Sequence, residues 1–548
     1  MQPNNPMPPN IVWISTHDIN PHLGCYAGVW PGAEQARTPH LDRLAAEGLR
    51  FDQAFSTAPV CGPSRSSVVT GCYPPAIGTM HMRTSAVPPA EVHLLPEYFR
   101  AAGYWTGNSV FTDYQMEVPA PVYDRVADNV HWRDRPDPEQ PFFIARHGLI
   151  THESSIFADP ERYAKLTERL TPDQRVDPDK APVPPYHPDT ETFRDSWARY
   201  LELVAALDHT VGDLLADLDE DGLADNTIVV FWSDHGVGLP GGKRWAAEAG
   251  YREPLLIRWP DRVAAGTVCE RPVSLMDLAP TMLAMCGLEV PEHMHGQVVI
   301  GADGAVSEHL RPYVVSARDR MGESEDTSRS VRDARFRYTR HLHPDRPAMQ
   351  HSEYPDLSAW QEFRALRGRE SEQQLSRGLV PSLLTDRQRR ILATTRPVEE
   401  LFDISVDPHE EHDLAGDPAY ADDLARLSAA LDEWTARVGD LGVQDEIALL
   451  RQWRPGGHPR QVPAPTVEVD DGRLTASCAL DGVVLGWTDV APEDGVTPPD
   501  RPPFFGYRDD ARSWRLVTGP FAADAERVWV RAWRIGYATS AEIEVLVS

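Results

Sequence analysis

Apolar runs and helical patterns alternate through the first half of the chain. In the stretch between residues 145 and 228, apolar residues from Trp197 to Leu218 recur every three or four positions, which predicts one long helix that ends near Gly222. Such alternation predicts an α/β fold with a mostly parallel sheet flanked by helices. Four short runs are apolar nearly throughout and read as strands buried on both faces: residues 11–15, 141–145, 228–232 and 255–259.

The pattern changes from about Ala305 onward. A strand-like run at 335–339, and a second one at 399–404 followed by a helix through Trp434, predict a smaller α+β unit. Residues 454–465 have the Pro- and Gly-rich composition of a linker, and short strand-like runs after it predict a β-sandwich. The predicted domains are a catalytic α/β domain (1–304), an α+β subdomain (305–452) and a C-terminal β-sandwich (466–548).

Composition and charge restrict the classes of function. The chain has 548 residues, of which 41% are hydrophobic, so it can bury a sizeable core. Its 53 basic and 83 acidic side chains give a net charge of −30. Nucleic acids and anionic membranes bind basic surfaces, so neither is an expected partner. A small anion remains compatible with this charge, because a few local cations can hold it.

The cysteines and the first residues bear on the cellular compartment. Six cysteines without a CxxC spacing are too few for a disulfide scaffold, which indicates reduced thiols. Residues 1–10 lack the basic and apolar regions of a signal peptide, and no later run reaches about 18 apolar residues. We therefore expect a cytoplasmic protein without a membrane span.

Acidic and histidine side chains directly follow two of the predicted strands. His17 and Asp18 come after the first strand, and Asp234 and His235 come after the third. Ligand sites in open α/β sheets lie at the carboxyl ends of the strands. The sequence therefore predicts that these four side chains share one ligand-binding edge.

The most informative stretch begins at Cys61. It reads Cys61-Gly-Pro-Ser-Arg65, followed by Ser-Ser-Val-Val-Thr-Gly71. Pro63 suits the first turn of a helix and Gly71 suits its end, so Cys61 is predicted at a helix N-terminus. The unpaired amides of a helix N-terminus favour a bound anion, and Arg65 adds a planar cation.

This stretch resembles the C-x-P-S-R-x-x-x-x-T-G signature of type I sulfatases of the alkaline phosphatase superfamily, and it matches every fixed position. The resemblance covers roughly residues 9 to 440. Residues 10–18 resemble the first metal-binding strand of the family, and 233–236 with Lys243 resemble the second one and its sulfate-binding lysine. Residues 151–154 and 241–245 most resemble a bacterial heparan N-sulfatase-like subgroup.

The resemblance implies a sulfuric ester or sulfamate hydrolase that acts on a small sulfated carbohydrate. A formylglycine-generating enzyme would oxidise Cys61 to formylglycine, whose hydrated aldehyde supplies the nucleophile. Arg65 and Lys243 would hold the sulfate, and His152 or Lys243 would protonate the leaving group. The implied ligands of a divalent metal are His17, Asp18, Cys61, Asp234 and His235.

Two departures from the family pattern bear on the metal and on the substrate. Many sulfatases carry two acids where this chain has His17-Asp18. The resemblance implies calcium, but the imidazoles of His17 and His235 suit zinc or manganese better. Phe111 stands where related sequences usually place a lysine that contacts the sulfate, and Asp113 stands where many have a histidine. We therefore expect a substrate choice that differs from that of close relatives, or slow turnover.

Two other functions are compatible with the same residues. The superfamily site with Asp-His ligands also accepts the tetrahedral anions of phosphonate monoesters and phosphodiesters, so a hydrolase of those esters is one alternative. A degenerate sulfatase that only binds carbohydrate, with the β-sandwich as the binding module, is the other, and His17 and Phe111 motivate it. The net charge of −30 favours a short sulfated ligand over a long polysulfated chain.

Overall fold

The computed structural model of the protein describes residues 7–322, 324–350, 357–377, 383–492 and 512–547. A nine-stranded sheet forms its centre. The strands are β1 (Asn10–Thr16), β2 (Leu49–Phe55), β3 (Trp105–Asn108), β4 (Arg125–Val126), β5 (Phe142–His147), β6 (Thr227–Ser233), β7 (Arg252–Arg258), β8 (Thr267–Cys269) and β9 (Val273–Ser274). Their order is β4-β3-β5-β1-β6-β7-β2-β8, and β9 pairs with β2.

The sheet is mostly parallel, as the sequence predicts. Only β7 runs against the others, because it pairs antiparallel with both β6 and β2. The four predicted strands are β1, β5, β6 and β7, and β1 lies between β5 and β6. The carboxyl ends of β1, β5 and β6 therefore meet at one edge of the sheet.

Helices cover both faces of this sheet. Val12 and Ile14 on β1 pack with the long helix on one face, whereas Ile11 and Trp13 pack with other helices on the opposite face. None of the helices in the described part of the chain combines the length and apolar character needed to cross a bilayer. The helices of this region are α1 (Pro39–Ala46), α2 (Cys61–Thr70), α3 (Pro74–Ile77), α4 (Leu95–Ala101), α5 (Glu153–Ile156), α6 (Pro160–Leu166), α7 (Glu191–Glu220), α8 (Glu248–Tyr251) and α9 (Leu278–Met285).

A four-stranded antiparallel sheet follows the central sheet. Its strands, in spatial and chain order, are β10 (Val314–Arg318), β11 (Ser328–Arg332), β12 (Phe336–His341) and β13 (Glu399–Asp403). The helices are α10 (Ser358–Arg377), α11 (Asp386–Leu392), α12 (Ala421–Val438) and α13 (Glu446–Trp453). Leu427, Leu431 and Trp434 of α12 pack on Val331 and Tyr338 of the sheet. The sequence predicts β12, β13 and α12 but assigns no structure to the stretch that contains α10 and α11.

Two small antiparallel sheets form the C-terminal tail. One consists, in spatial order, of β14 (Thr466–Asp470), β15 (Arg473–Ser477) and β18 (Phe521–Ala522). The other consists, in spatial order, of β17 (Arg515–Leu516), β16 (Val484–Thr488), β19 (Arg527–Trp533) and β20 (Ile543–Leu546). Leu474, Trp487, Val528 and Val530 form a core between them, as a sandwich requires. The division into three domains at the stated boundaries stays a prediction.

Candidate active site

The residues that follow β1 and β6 converge on Cys61. Thr16 lies opposite Ser233 in the parallel pairing of β1 with β6, so the two strand-end pairs come next to each other. One ligand atom from each of four buried residues lies within 4.8 Å of the other three. These residues are His17, Asp18, Cys61 and Asp234.

Helix α2 carries Cys61 and Arg65 into this cluster. The helix begins at Cys61, after an extended Val60, and ends before Gly71, whose φ of 69° is left-handed. The side chain of Ser64 ties the first turn to β6, because its hydroxyl donates to the carbonyl oxygen of Asp234. Burial raises the pKa of the Cys61 thiol well above its usual range, so the unmodified thiol is a poor nucleophile at neutral pH.

Asp234 is the centre of the hydrogen bonding in this site. Its Oδ2 accepts from Arg65 Nε at 3.0 Å, and its Oδ1 accepts the backbone N–H groups of Asp18 at 3.2 Å and His235 at 3.0 Å. Burial alone would raise the pKa of Asp234, but His235, His17 and Arg65 hold it well below its usual range. Asp234 is therefore a buried carboxylate.

The donor set fits a divalent cation. His235 Nδ1 donates to the carbonyl oxygen of Gly236 at 3.0 Å, which leaves a lone pair on Nε2. That nitrogen lies 3.1 Å from Cys61 Sγ, 3.4 Å from Asp18 Oδ1 and 3.5 Å from Asp234 Oδ1. Two buried carboxylates and an imidazole nitrogen with a fixed tautomer form a typical divalent-metal site.

His17 contacts protein atoms through both ring nitrogens. Its Nε2 accepts from Arg65 Nη2 at 2.9 Å, and its Nδ1 lies 3.0 Å from Asp234 Oδ2. Burial and the charge of Arg65 lower the pKa of His17 to about 3, so the ring is neutral. A neutral ring that accepts at Nε2 carries its proton on Nδ1. His17 thus joins Arg65 to Asp234, and its role as a metal ligand stays a prediction.

Lys243 is buried in a cluster of charges. Its Nζ lies 3.1 and 3.0 Å from the two carboxylate oxygens of Asp18 and 2.8 Å from Glu153 Oε1. Arg244 binds the same Glu153 with two hydrogen bonds of 2.9 and 2.6 Å. The backbone N–H of Glu153 in turn donates to Asp18 Oδ2 at 2.7 Å. Lys243 is therefore not a solvated loop lysine, and Glu153 connects it to Asp18 and Arg244.

Sequence reasoning missed two residues of this site. Glu153 lies inside the quoted 151–154 stretch, where an acid beside His152 was the available signal. His147 ends β5, two residues beyond the predicted strand; its Nε2 lies 3.0 Å from Asn108 Oδ1 and its Nδ1 lies 3.4 Å from Arg65 Nη1. Its position after a buried strand was the same signal that identified Asp18.

His152 lies at the half-buried side of the site. It precedes α5, and its Nδ1 accepts the backbone N–H of Ser154 at 3.3 Å. One ligand atom each from Asp18, His152 and Glu153 lie within 4.8 Å of one another. The ring is therefore close enough to the acids to exchange a proton with a group bound there.

The contacts of Phe111 and Asp113 differ from those expected of the lysine and the histidine that related sequences usually have at these positions. The Phe111 ring lies 4.9 Å from the His17 ring and 5.1 Å from Arg65 Cζ, so it covers the guanidinium instead of contacting an anion. Asp113 is buried, with Arg83 Nη1 3.6 Å from its carboxylate. Burial raises the pKa of Asp113 to about 6. The site thus keeps Arg65 and Lys243 as buried cations, and Arg244 lies beside Lys243 on the shared Glu153.

The fold and the site together define the class of this protein. A mostly parallel sheet with a nucleophile position at a helix N-terminus, two buried cations and a carboxylate–imidazole donor set suits the hydrolysis of an ester of a tetrahedral anion. The family model described as Sulfatase matches residues 9–288, and the chain belongs to the sulfatase family. It is therefore a sulfuric ester hydrolase, and the resemblance to type I sulfatases is confirmed.

Relatives and solved structures agree with this assignment. The chain is 31% identical to an ulvan-active sulfatase of Formosa agariphila, over 99% of this chain and 92% of the relative. It is 28% identical to the N-acetylgalactosamine-6-sulfatase of Rattus norvegicus, over 54% of this chain and 65% of the relative.

Two solved structures share the fold. BT4656, in complex with its substrate D-glucosamine-2-N,6-O-disulfate, superposes with a TM-score of 0.55 at 18% identity, over 80% of this chain and 100% of that one. The phosphonate monoester hydrolase SpPMH of Silicibacter pomeroyi superposes with a TM-score of 0.54 at 20% identity, over 80% of this chain and 97% of that one. At these identities the similarity concerns the architecture, which confirms the predicted α/β fold.

Proposed function

We propose that the enzyme removes sulfate from a short sulfated carbohydrate, as an ester or a sulfamate, with a formylglycine formed from Cys61. The observation that carries this proposal is the position of Cys61: first residue of α2, 3.1 Å from His235 Nε2 and enclosed by Asp18 and Asp234. The names of the relatives refer to ulvan and to N-acetylgalactosamine, which supports a sugar substrate.

The proposed roles follow from the contacts. His17, Asp18, Asp234 and His235, with the modified residue 61, would hold a divalent metal, which when bound lowers the pKa of the nucleophilic hydroxyl. Arg65 is held by Asp234 and would orient the sulfate with its planar donors. Lys243 would neutralise the sulfate oxygens.

His152 would give its proton to the departing sugar oxygen or nitrogen. Its ring lies at the half-buried side, where a leaving group can face solvent. Phe111 packs on Arg65 and limits the directions that the guanidinium can adopt. Calcium is the metal that the family resemblance suggests, whereas the imidazoles favour manganese or zinc. If metal analysis of the purified protein finds only calcium at full occupancy, the preference for manganese or zinc is wrong.

A formylglycine-generating enzyme is the proposed maturation partner, and the cytoplasm is the proposed compartment. All six cysteines are free, which is typical of a reducing environment. Neither a nucleic acid nor a membrane is proposed as a partner, because the net charge of −30 disfavours both.

The modification is tested by mass spectrometry of the peptide that contains residue 61. Protein co-produced with a formylglycine-generating enzyme should carry a peptide about 18 Da lighter than the cysteine form. Cys61→Ala should lose activity on sulfate esters, whereas Cys72→Ala, which changes another buried cysteine, should keep it. An unmodified and fully active protein would contradict the proposal.

A substrate panel tests the reaction class. Nitrophenyl sulfate and sulfated mono- and disaccharides should be hydrolysed faster than a nitrophenyl phosphodiester or a phenylphosphonate monoester. A reversed order would favour the phosphonate or phosphodiester alternative. Carbohydrate binding without any turnover by modified protein would instead favour the degenerate sulfatase.

A further inference from the structure

A second group of buried cations lies outside the active site, where α11 and β13 meet the segment that follows Lys243. It lines a cavity of about 60 Å³. Thr395 and Pro397 also line it and are exposed, so solvent reaches the cavity. The charged or polar lining residues are Arg318, His341, Arg387, Arg390, Arg396 and Glu400.

Among the described residues, two carboxylates make direct ion pairs with the arginines that line this cavity. Asp326 contacts both Arg318 and Arg396, the latter at 2.6 Å. Glu410 accepts from Arg387 at 2.9 Å and also from Arg337. One carboxylate therefore serves two guanidinium groups in each case.

The remaining charged or polar lining groups are Arg390, Glu400 and His341. Arg390 donates to the carbonyl oxygens of Glu410 and Glu411 at 2.6 and 2.9 Å. Glu400 binds His341 at 3.0 Å, and burial lowers the pKa of that histidine, so it is neutral. Within the described part of the chain, three lining arginines thus share two carboxylates, and Arg390 binds carbonyl oxygens. The charges of Asp319, Asp345 and Asp413 also act on this group from farther away.

Three N–H groups at the cavity also lack an acceptor among the described residues. The Nε atoms of Arg387, Arg390 and Arg396 are buried and make no hydrogen bond within the described part of the chain. The side chains of Arg387 and Arg396 are only 7% and 6% exposed. A buried charged donor without an acceptor is costly, so these donors favour an acceptor other than those that the described residues provide.

The pKa values point in the same direction. Burial, with the neighbouring charge of Arg396, lowers the pKa of Arg318 to about 9. Burial also lowers the pKa of Arg396 to about 10. An anion in the cavity would relieve the repulsion between these guanidinium groups.

We propose that this cavity binds a small oxyanion, a sulfate, phosphate or carboxylate group, through Arg387, Arg390 and Arg396. Planar guanidinium forks match the paired oxygens of such groups. The cavity touches the active-site segment, because Trp245 lines it and Arg318 Nε donates to the carbonyl oxygen of Arg244 at 2.6 Å. The oxyanion is either free in solution or a second anionic group on the substrate.

Binding of inorganic sulfate tests the site without any turnover, so its outcome is independent of the proposed reaction. The Arg65→Ala background removes a main cation of the active site. At low ionic strength, calorimetric titration of that protein with sodium sulfate should still show one saturable site. Adding Arg390→Gln or Arg396→Gln should weaken the affinity at least about tenfold, or ~1.4 kcal/mol. Arg389→Gln, on the same helix but 41% exposed, is the matched control and should change nothing.

Melting curves without sulfate show whether each variant is folded. If a cavity variant does not fold, the Arg65→Ala protein decides the question: sulfate should raise its melting temperature in a saturable way, and equal ionic strength of chloride should not. No saturable binding in the Arg65→Ala protein, or equal binding in the cavity variants, would overturn the proposal.

Kinetics distinguish the two sources of the oxyanion. A KM that rises in Arg390→Gln only for a substrate with a second anionic group identifies that group as the ligand. An unchanged KM together with loss of sulfate binding identifies a free anion. If Arg390→Gln alters neither KM nor sulfate binding, the cavity is not an anion site.

Discussion

Glu153 offers the sharpest test of how the active site holds its cations. It lies between Lys243 and Arg244 and accepts hydrogen bonds or ion pairs of 2.6 to 2.9 Å from both. Glu153→Gln keeps the size of the side chain and removes its charge. Lys243 then has only the carboxylate of Asp18, 3.0 Å away, as its ion-pair partner among the described residues.

The expected loss follows from the burial of these groups. Glu153 is fully buried, and the side chains of Lys243 and Arg244 are 2% and 11% exposed. Removing one partner of a buried ion pair costs about 3–5 kcal/mol. The amide oxygen of Gln still accepts one hydrogen bond, so we expect the free energy of unfolding to fall by about 3 kcal/mol. We also expect kcat/KM to fall at least about tenfold, because a Lys243 drawn to Asp18 is less available to an anion.

Urea unfolding followed by circular dichroism measures the stability change, and steady-state kinetics measures the second effect. Glu202→Gln is the matched control. Glu202 is also largely buried, but its partner Arg175 is 42% exposed, so we expect a loss of only about 1 kcal/mol. Equal losses in the two variants, or less than about 1 kcal/mol in Glu153→Gln, would refute the reasoning.

Phe111, Asp208 and the metal site provide further tests. Phe111→Leu removes the ring 5.1 Å from Arg65 Cζ, a contact worth ~1 kcal/mol, so kcat/KM should fall about fivefold; unchanged kinetics would contradict this. Burial raises the pKa of Asp208 to about 7, against about 3.9 in the unfolded chain, so the folded state binds the proton more tightly. As the pH rises from 4 to 7, the free energy of unfolding of the wild-type protein should therefore fall relative to that of Asp208→Asn. If urea unfolding shows the same pH dependence for both proteins, this prediction is wrong. Removal of metal with EDTA should weaken sulfate binding measured by calorimetry, because Asp18 then stays paired with Lys243 and Asp234 with Arg65. An unchanged sulfate affinity would argue against a coupling between metal binding and anion binding.

Local patterns were enough to predict the inner strands and the long helix. The strands β1, β5, β6 and β7 are buried on both faces, so their apolar runs stand out. The reversed direction of β7 and the insertion of β2 beside it depend on pairings between residues about 200 positions apart, such as Leu49 with Ile257, which no local pattern contains. Helices α10 and α11 were missed because the stretch that contains them is largely polar.

The active-site residues also divide into those that a local sequence pattern predicts and those that only the folded chain brings together. Cys61 and Arg65 belong to one contiguous motif, so sequence alone brings them together. Glu153 and His147 act through partners on other elements: Glu153 through Lys243, and His147 through Arg65. Such roles become visible only when the strand ends are assembled.

The contacts also show how an acidic chain can hold an anion. Arg65 and Lys243 are each bound by a carboxylate of the predicted metal site, Asp234 and Asp18 respectively. A divalent cation shared by those two carboxylates would compete with the arginine and the lysine for the same oxygens. The cations would then be freer to bind sulfate, so metal and anion affinities are linked through these two acids. Recognition therefore depends on a local charge balance at the sheet edge, because solvent screens the more distant charges that contribute to the chain's net charge of −30.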